Sequence, residues 1–149
     1  MLTHEEVSDR LEILELLNTW SDIIDTGAHE RYEALFTDDA VIDFSSIGSP
    51  GTDPSSHRKF LDEIAWPSTR GQQHLLGNTQ FLELDGEQAR TRTACHASVV
   101  MRDGSFSTIC VWYVDDLKKV DGRWLISKRV CLKNFFNPDA WVNPAEGQE

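Results

Sequence analysis

The spacing of apolar positions predicts helices in the first half of this chain and long strands in the second. In the opening segment Val7, Leu14 and Leu17 fall on one stripe when the chain turns by about 100° per residue. Thr3-His4-Glu5-Glu6 reads as a capping box at the start of that helix, which runs to about Thr26, and Gly27 supplies a left-handed stop. Asp25 comes round to the same stripe, so the pattern turns a carboxylate toward the core. It also stands in the last helical turn, where the helix dipole disfavours negative charge. One residue that breaks two local rules is a functional candidate; the structural alternative is an aspartate that caps a nearby loop or frays into solvent. A short helix over residues 29–36 carries Tyr32, Leu35 and Phe36, and Thr37-Asp38-Asp39 marks a turn before a strand from Val41 to Ser45. The Gly- and Pro-containing stretch from Gly48 to Pro54 reads as a flexible loop and a candidate lid. Ser55 and Ser56 can cap a third helix with Phe60, Leu61, Ile64 and Ala65 at helical spacing, ended by Pro67.

The second half is set by three Asp-Gly dipeptides, Asp85-Gly86, Asp103-Gly104 and Asp121-Gly122, spaced 18 residues apart. Asp-Gly between strand-like runs signals a two-residue type I′ hairpin, so Gln73 to Phe135 is expected to form a four-segment antiparallel meander. Strands that long must twist, bulge and curl. Three helices closing the concave side of such a sheet give an α+β cone with an interior cavity, in a single domain over residues 1–149. The segment 137–149, with Pro138 and Pro144, is expected to wrap the outside or to be disordered. Ideal two-residue turns place His74 opposite Ala97, Cys95 opposite Trp112 and Val114 opposite Arg129. His74, Trp112 and Arg129 then share one face; Phe81, Ala94, His96, Ile109, Val111, Tyr113, Val130 and Leu132 share the other. Both faces want burial, which predicts a homo-oligomer, either a dimer or a trimer.

Composition narrows the partners. A formal charge of −11 argues against nucleic acid and against an anionic membrane surface. Three cysteines, Cys95, Cys110 and Cys131, lack the even count or the Cys-x-x-Cys spacing of a disulfide framework or zinc site, and they read as small sheet residues. No basic, apolar leader and no membrane-spanning run is visible, so a cytoplasmic protein is expected. His4, His29 and His57 sit at helix starts or on polar faces without metal-ligand spacing, so no metal is expected.

Asp25 and His74 are the two chemistry-bearing residues placed inside the cone. A carboxylate on one imidazole nitrogen fixes the tautomer and leaves the other nitrogen as a base; the alternative is a structural core histidine. The sequence resembles the SnoaL-like branch of the nuclear transport factor 2-like superfamily, and within it the scytalone dehydratase and γ-hexachlorocyclohexane dehydrochlorinase group. The resemblance covers most of the chain. It is carried by Ile23-Ile24-Asp25, by the run from Glu33 to Val41 with its Phe-x-Asp-Asp-Ala element, by Trp66-Pro67, by His74 with Gly77-Asn78, and by Asp121-Gly122-Arg123-Trp124.

The resemblance implies that Asp25 and His74 form a catalytic dyad for metal-free elimination and that Arg129 lines the pocket. It also departs from the family. Where scytalone dehydratases carry two tyrosines, a second histidine and an asparagine, this chain has Ile24, Phe44, Val99 and Ile109, which makes the expected pocket more apolar and argues against scytalone itself. Trp20, Trp66 and Trp112 are expected to wall that pocket. His96 is read as an interface or surface residue.

The expected function is a lyase without cofactor, of dehydratase or dehydrohalogenase type, acting on a small hydrophobic, cyclic substrate. His74 takes a proton from carbon, Asp25 stabilises the imidazolium, and Arg129 or a water assists the departing hydroxide or halide. An isomerase or cyclase would use the same base. A binding or assembly domain with a vestigial cavity is the reading from another class.

Overall fold

The computed structural model describes residues 1–136, so the expectation for 137–149 lies outside the described residues. Helix α1, His4–Thr26, opens on the predicted capping box: the Thr3 hydroxyl accepts the Glu6 N–H at 3.1 Å and the Glu6 carboxylate accepts the Thr3 N–H at 2.6 Å. Gly27 ends it at φ +74°. The buried stripe is Asp9, Ile13, Leu17, Trp20, Ile23 and Ile24, rotated from the Val7 line, for Val7 is exposed. Asp25 therefore lies at the edge of the buried face and not at its centre. Asp9 is a second inward acid on this helix. Burial works against its carboxylate, but hydrogen bonds from Lys119 at 2.6 Å and Trp124 at 2.9 Å outweigh it and hold its pKa below the ordinary value.

The expected short helix is two 3-10 turns, His29–Arg31 and Glu33–Leu35. Strand β1, Phe36–Asp43, starts earlier than predicted, so Asp38 and Asp39 are exposed strand residues and not a turn. An edge strand tolerates such acids on its solvent side. Helix α2, Pro54–Phe60, is capped by Asp53, whose carboxylate accepts the Ser56 N–H at 2.9 Å. It continues as a π-helical turn, Leu61–Ala65, and a last α turn, Trp66–Ser68, so Pro67 stands inside the final turn.

Strands β2 (Thr69–Leu84), β3 (Gln88–Met101), β4 (Phe106–Val120) and β5 (Arg123–Phe136) form the meander. The sheet order is β1-β5-β4-β3-β2. Because β1 pairs with β5 in parallel, the sheet is mixed, not wholly antiparallel as expected. Only the third hairpin has the predicted turn, with Asp121 at φ +50° and Gly122 at φ +75°. In the first, the two turn residues are Gly86 and Glu87, and the Asp85 carboxylate accepts the N–H groups of Glu87 and Gln88. Irregularities near Gly77 and Phe81 then restore the expected His74–Ala97 pairing. In the second, Met101 and Ser105 close a three-residue loop with Gly104 at φ +88°.

That extra loop residue shifts β4 by one place, so Cys95 faces Val111 and Trp112 faces Ala94. A bulge between Asp116 and Leu117 shifts β5 back, and Arg129 pairs with Asp115. The two offsets cancel for Arg129, which does share the concave face with His74. They do not cancel for β4. Val111, Tyr113 and Asp115 point inward and Trp112 outward, the reverse of the predicted assignment.

The helices cover the concave face and enclose a core of Ile13, Leu17, Trp20, Ile23, Tyr32, Ile42, Leu117 and Ile126, all nearly inaccessible. The result is the α+β cone that the patterning predicts, with a cavity between α1, α2 and the sheet.

Candidate active site

The end of α1 and the middle of β2 meet at the cavity mouth. Asp25 Oδ1 lies 2.6 Å from His74 Nδ1, and Asp25 Oδ2 accepts the backbone N–H of His74 at 2.7 Å. One carboxylate thus fixes both the ring and the strand that carries it. A carboxylate is an acceptor only, so Nδ1 bears the proton and Nε2 is left with its lone pair. Nε2 has no hydrogen-bond partner among the described residues. The Trp20 ring stands edge-on to the imidazole with centroids 5.6 Å apart. The side chains are 13% exposed for His74 and 19% for Asp25, so the pair is reachable from solvent but largely dry.

The cavity has a volume of about 360 Å³, at the small end of ordinary ligand sites. His74, Trp20, Ile24, Phe44, Val99 and Ile109 all line it. Three residues expected to line it, Trp112, Trp66 and Arg129, do not. Trp112 is on the convex face beneath Arg92, whose guanidinium carbon is 5.2 Å from the ring, because of the β4 shift. Trp66 opens the last helical turn and packs over Gly27 and His29, with its ring outside the lining.

Arg129 is fully buried behind the lining. Its Nε and Nη2 bond both oxygens of buried Asp115 at 2.7 and 2.9 Å, and its guanidinium carbon lies 4.6 and 4.8 Å from the Trp20 and Tyr113 rings. Burial works against its charge, but Asp115 more than offsets it, so the pKa is raised and the cation persists. The charge lies beneath two rings that face the cavity.

Sequence reasoning missed several lining groups. Tyr113 was assigned to the wrong face by the register. Gln72 shares the parity of His74, and its Nε2 donates to the Ile24 carbonyl at 2.6 Å, tying β2 to the turn that holds Asp25. His29 and His57, expected on polar surfaces, are each 3% exposed. The signal for His57 was present, since it continues the helical spacing of Phe60, Leu61 and Ile64. Among the described residues no group of three or more His, Cys, Asp or Glu is placed to hold a metal ion.

The SnoaL-like domain family matches residues 5–130. An uncharacterised protein of Mycobacterium tuberculosis, Rv2910c, is 32% identical over 139 residues, covering 91% of this chain and 92% of that one. A solved candidate scytalone dehydratase from Novosphingobium aromaticivorans has a TM-score of 0.84 at 20% identity, covering 95% of this chain and 93% of its own. A type 2 hexachlorocyclohexane dehydrochlorinase (LinA) has 0.81 at 17%, covering 94% and 97%. These structures share the nuclear transport factor 2-like fold with the cone described above. This chain belongs to the SnoaL-like domain family.

Proposed function

We propose that the protein is a lyase needing no cofactor, with Asp25 and His74 as its dyad. The observation that carries this reading is the double grip of the Asp25 carboxylate on His74, which leaves Nε2 unpartnered in a residue that lines an apolar cavity. Nε2 takes a proton from a carbon of a small hydrophobic, cyclic substrate. The C–H electron pair becomes the new C=C bond, and a hydroxide or halide leaves the adjacent carbon with its own bonding pair. Asp25 stabilises the imidazolium, which then passes its proton to the leaving group or to water. Arg129, held by Asp115 behind Trp20 and Tyr113, keeps these rings in place and adds positive potential beneath the developing anion; it is a positioning residue in this reading. The dehydratase and dehydrochlorinase among the structural neighbours support the class of reaction.

The test is a panel of β-hydroxy ketones and chlorinated cycloalkanes with wild type and His74→Ala. Turnover by wild type that falls on the order of 10²–10⁴-fold in the variant is expected. Turnover that survives the substitution removes His74 as the base. Inertness of both proteins favours the binding or assembly reading. We also propose a cytoplasmic homo-oligomer. Free Cys95, Cys110 and Cys131 suit a reducing compartment, and among the described residues no helix is long and apolar enough to cross a membrane.

A further inference from the structure

The cavity holds a second imidazole that the mechanism above does not use. His57 is 3% exposed and lines the same cavity as His74. Its ring stacks on Phe44 with centroids 4.6 Å apart, and Phe44 reaches Tyr113, Trp20 and finally His74 through successive ring contacts. An aromatic wall therefore joins the two histidines. His57 Nδ1 lies 2.7 Å from the hydroxyl of fully buried Tyr32, and the other group bearing on that hydroxyl, the Trp20 indole N–H, can only donate, so the hydroxyl has no other acceptor among the described residues. A buried hydroxyl proton without an acceptor costs about 1–3 kcal/mol. Tyr32 must then donate and Nδ1 accept, which leaves the His57 proton on Nε2. Nε2 has no protein partner among the described residues. Burial, with Arg129 and His29 adding to it, pushes the His57 pKa down to about 4, so the ring is a neutral N–H donor at ordinary pH.

A second polar group of the same lining is unspent. The Ser49 hydroxyl is buried without a hydrogen-bond partner and belongs to the lining. Ser49 N–H bonds the Phe44 carbonyl at 3.2 Å, and Gly51 packs so closely on α2 that a Cβ there would stand 3.0 Å from the His57 backbone. Loop and helix are thus fastened together around Phe44. Unpaired polar groups in an apolar wall are costly unless a ligand or water satisfies them. Arg129 lies behind the lining with two of its nitrogens on Asp115, so the groups offered directly to a ligand at this end are neutral donors.

We propose that His57 Nε2–H and the Ser49 hydroxyl form a subsite for one accepting oxygen of a neutral ligand, the carbonyl of a cyclic ketone being the simplest case, while its hydrocarbon ring fills the cavity. The inference rests on the reading of the cavity as a substrate site. It is tested by titrating 1-tetralone and its oxygen-free analogue tetralin into wild type, His57→Gln, His57→Phe and His74→Ala, followed by tryptophan fluorescence. Wild type is expected to bind the ketone about 5- to 100-fold more tightly than the hydrocarbon. His57→Gln, whose amide donates from a similar reach, keeps part of that preference. His57→Phe loses it while binding tetralin as wild type does, and His74→Ala keeps it in full. Equal affinities in wild type, no saturable binding of either probe, a preference that survives in His57→Phe, or its loss in His74→Ala overturns the proposal. If circular dichroism finds His57→Phe unfolded, Tyr32→Phe decides: the proton is freed to move to Nδ1 and the preference falls, whereas an unchanged preference rejects the assignment. No turnover enters these titrations, so inertness toward every elimination substrate would sink the lyase reading and leave this result standing.

Discussion

Asp25 satisfies two donors at once, and that explains why the end of α1 tolerates a carboxylate against the helix dipole. The ring and backbone N–H of His74 supply the positive partial charge that the helix terminus withholds. His57 uses a neutral hydroxyl for the same orienting task, and its deep burial has a consequence for stability. Its folded pKa of about 4 lies below the ordinary 6.5, so between these values the unfolded chain binds the extra proton and the folded chain does not. Stability is thus lost as pH falls from about 6.5 toward 4, by about 3 kcal/mol for this group. Urea denaturation across that range is expected to show a shallower loss for His57→Gln than for wild type. Parallel curves would mean that His57 is already solvated and free to charge.

The elements that carry the site meet by close packing at Gly27. This residue has φ +74°, and a Cβ built on it would stand 2.6 Å from the Trp66 ring. Gly27→Ala meets strain and overlap together, and a loss of about 1–3 kcal/mol is expected in chemical denaturation. A change within a few tenths would show that the last helical turn yields freely. The ends of α1 and the hairpin positions were legible in the sequence because each rests on local chemistry: a capping box, a left-handed glycine, Asp-Gly turns; the Asp25–His74 juxtaposition, 49 residues apart, was legible through the hairpin register and the family resemblance. The register of β4 was not, since it depends on whether Gly104 closes a two- or three-residue loop, and one residue reverses every side chain of the strand. Tyr113 and Trp112 changed places for that reason alone. Arg129 fell on the expected face only because the Asp116–Leu117 bulge reversed the error, and it lies behind the cavity lining and not in it. His57 was passed over because a histidine near a helix start reads as polar, although its spacing with Phe60, Leu61 and Ile64 already turned it inward.

At the scale of the molecule, buried charge among the described residues is confined to paired positions. Arg129 with Asp115 and Asp9 with Lys119 fasten the sheet and α1 from within, which leaves the cavity lining apolar apart from a few oriented groups. The convex face is different. Leu75, Leu132 and Phe135 are exposed there at 59%, 45% and 57%, on the side the helices do not cover. A second copy of the chain is the occupant we propose, and sedimentation equilibrium is expected to give a dimer or a trimer. A monomer at micromolar concentration would contradict this.

Hydrogen exchange tests whether His74 removes a proton from carbon, without knowledge of the leaving group. Incubated with 1-tetralone in D₂O, wild type is expected to accelerate deuterium entry at the carbon beside the carbonyl, as read by mass spectrometry. His74→Ala should fall to the uncatalysed rate, and Asp25→Asn, whose amide can present a donor to Nδ1 and reverse the tautomer, should lose about 10²–10⁴-fold. Exchange no faster than in buffer, or equal exchange in all three proteins, would contradict the account.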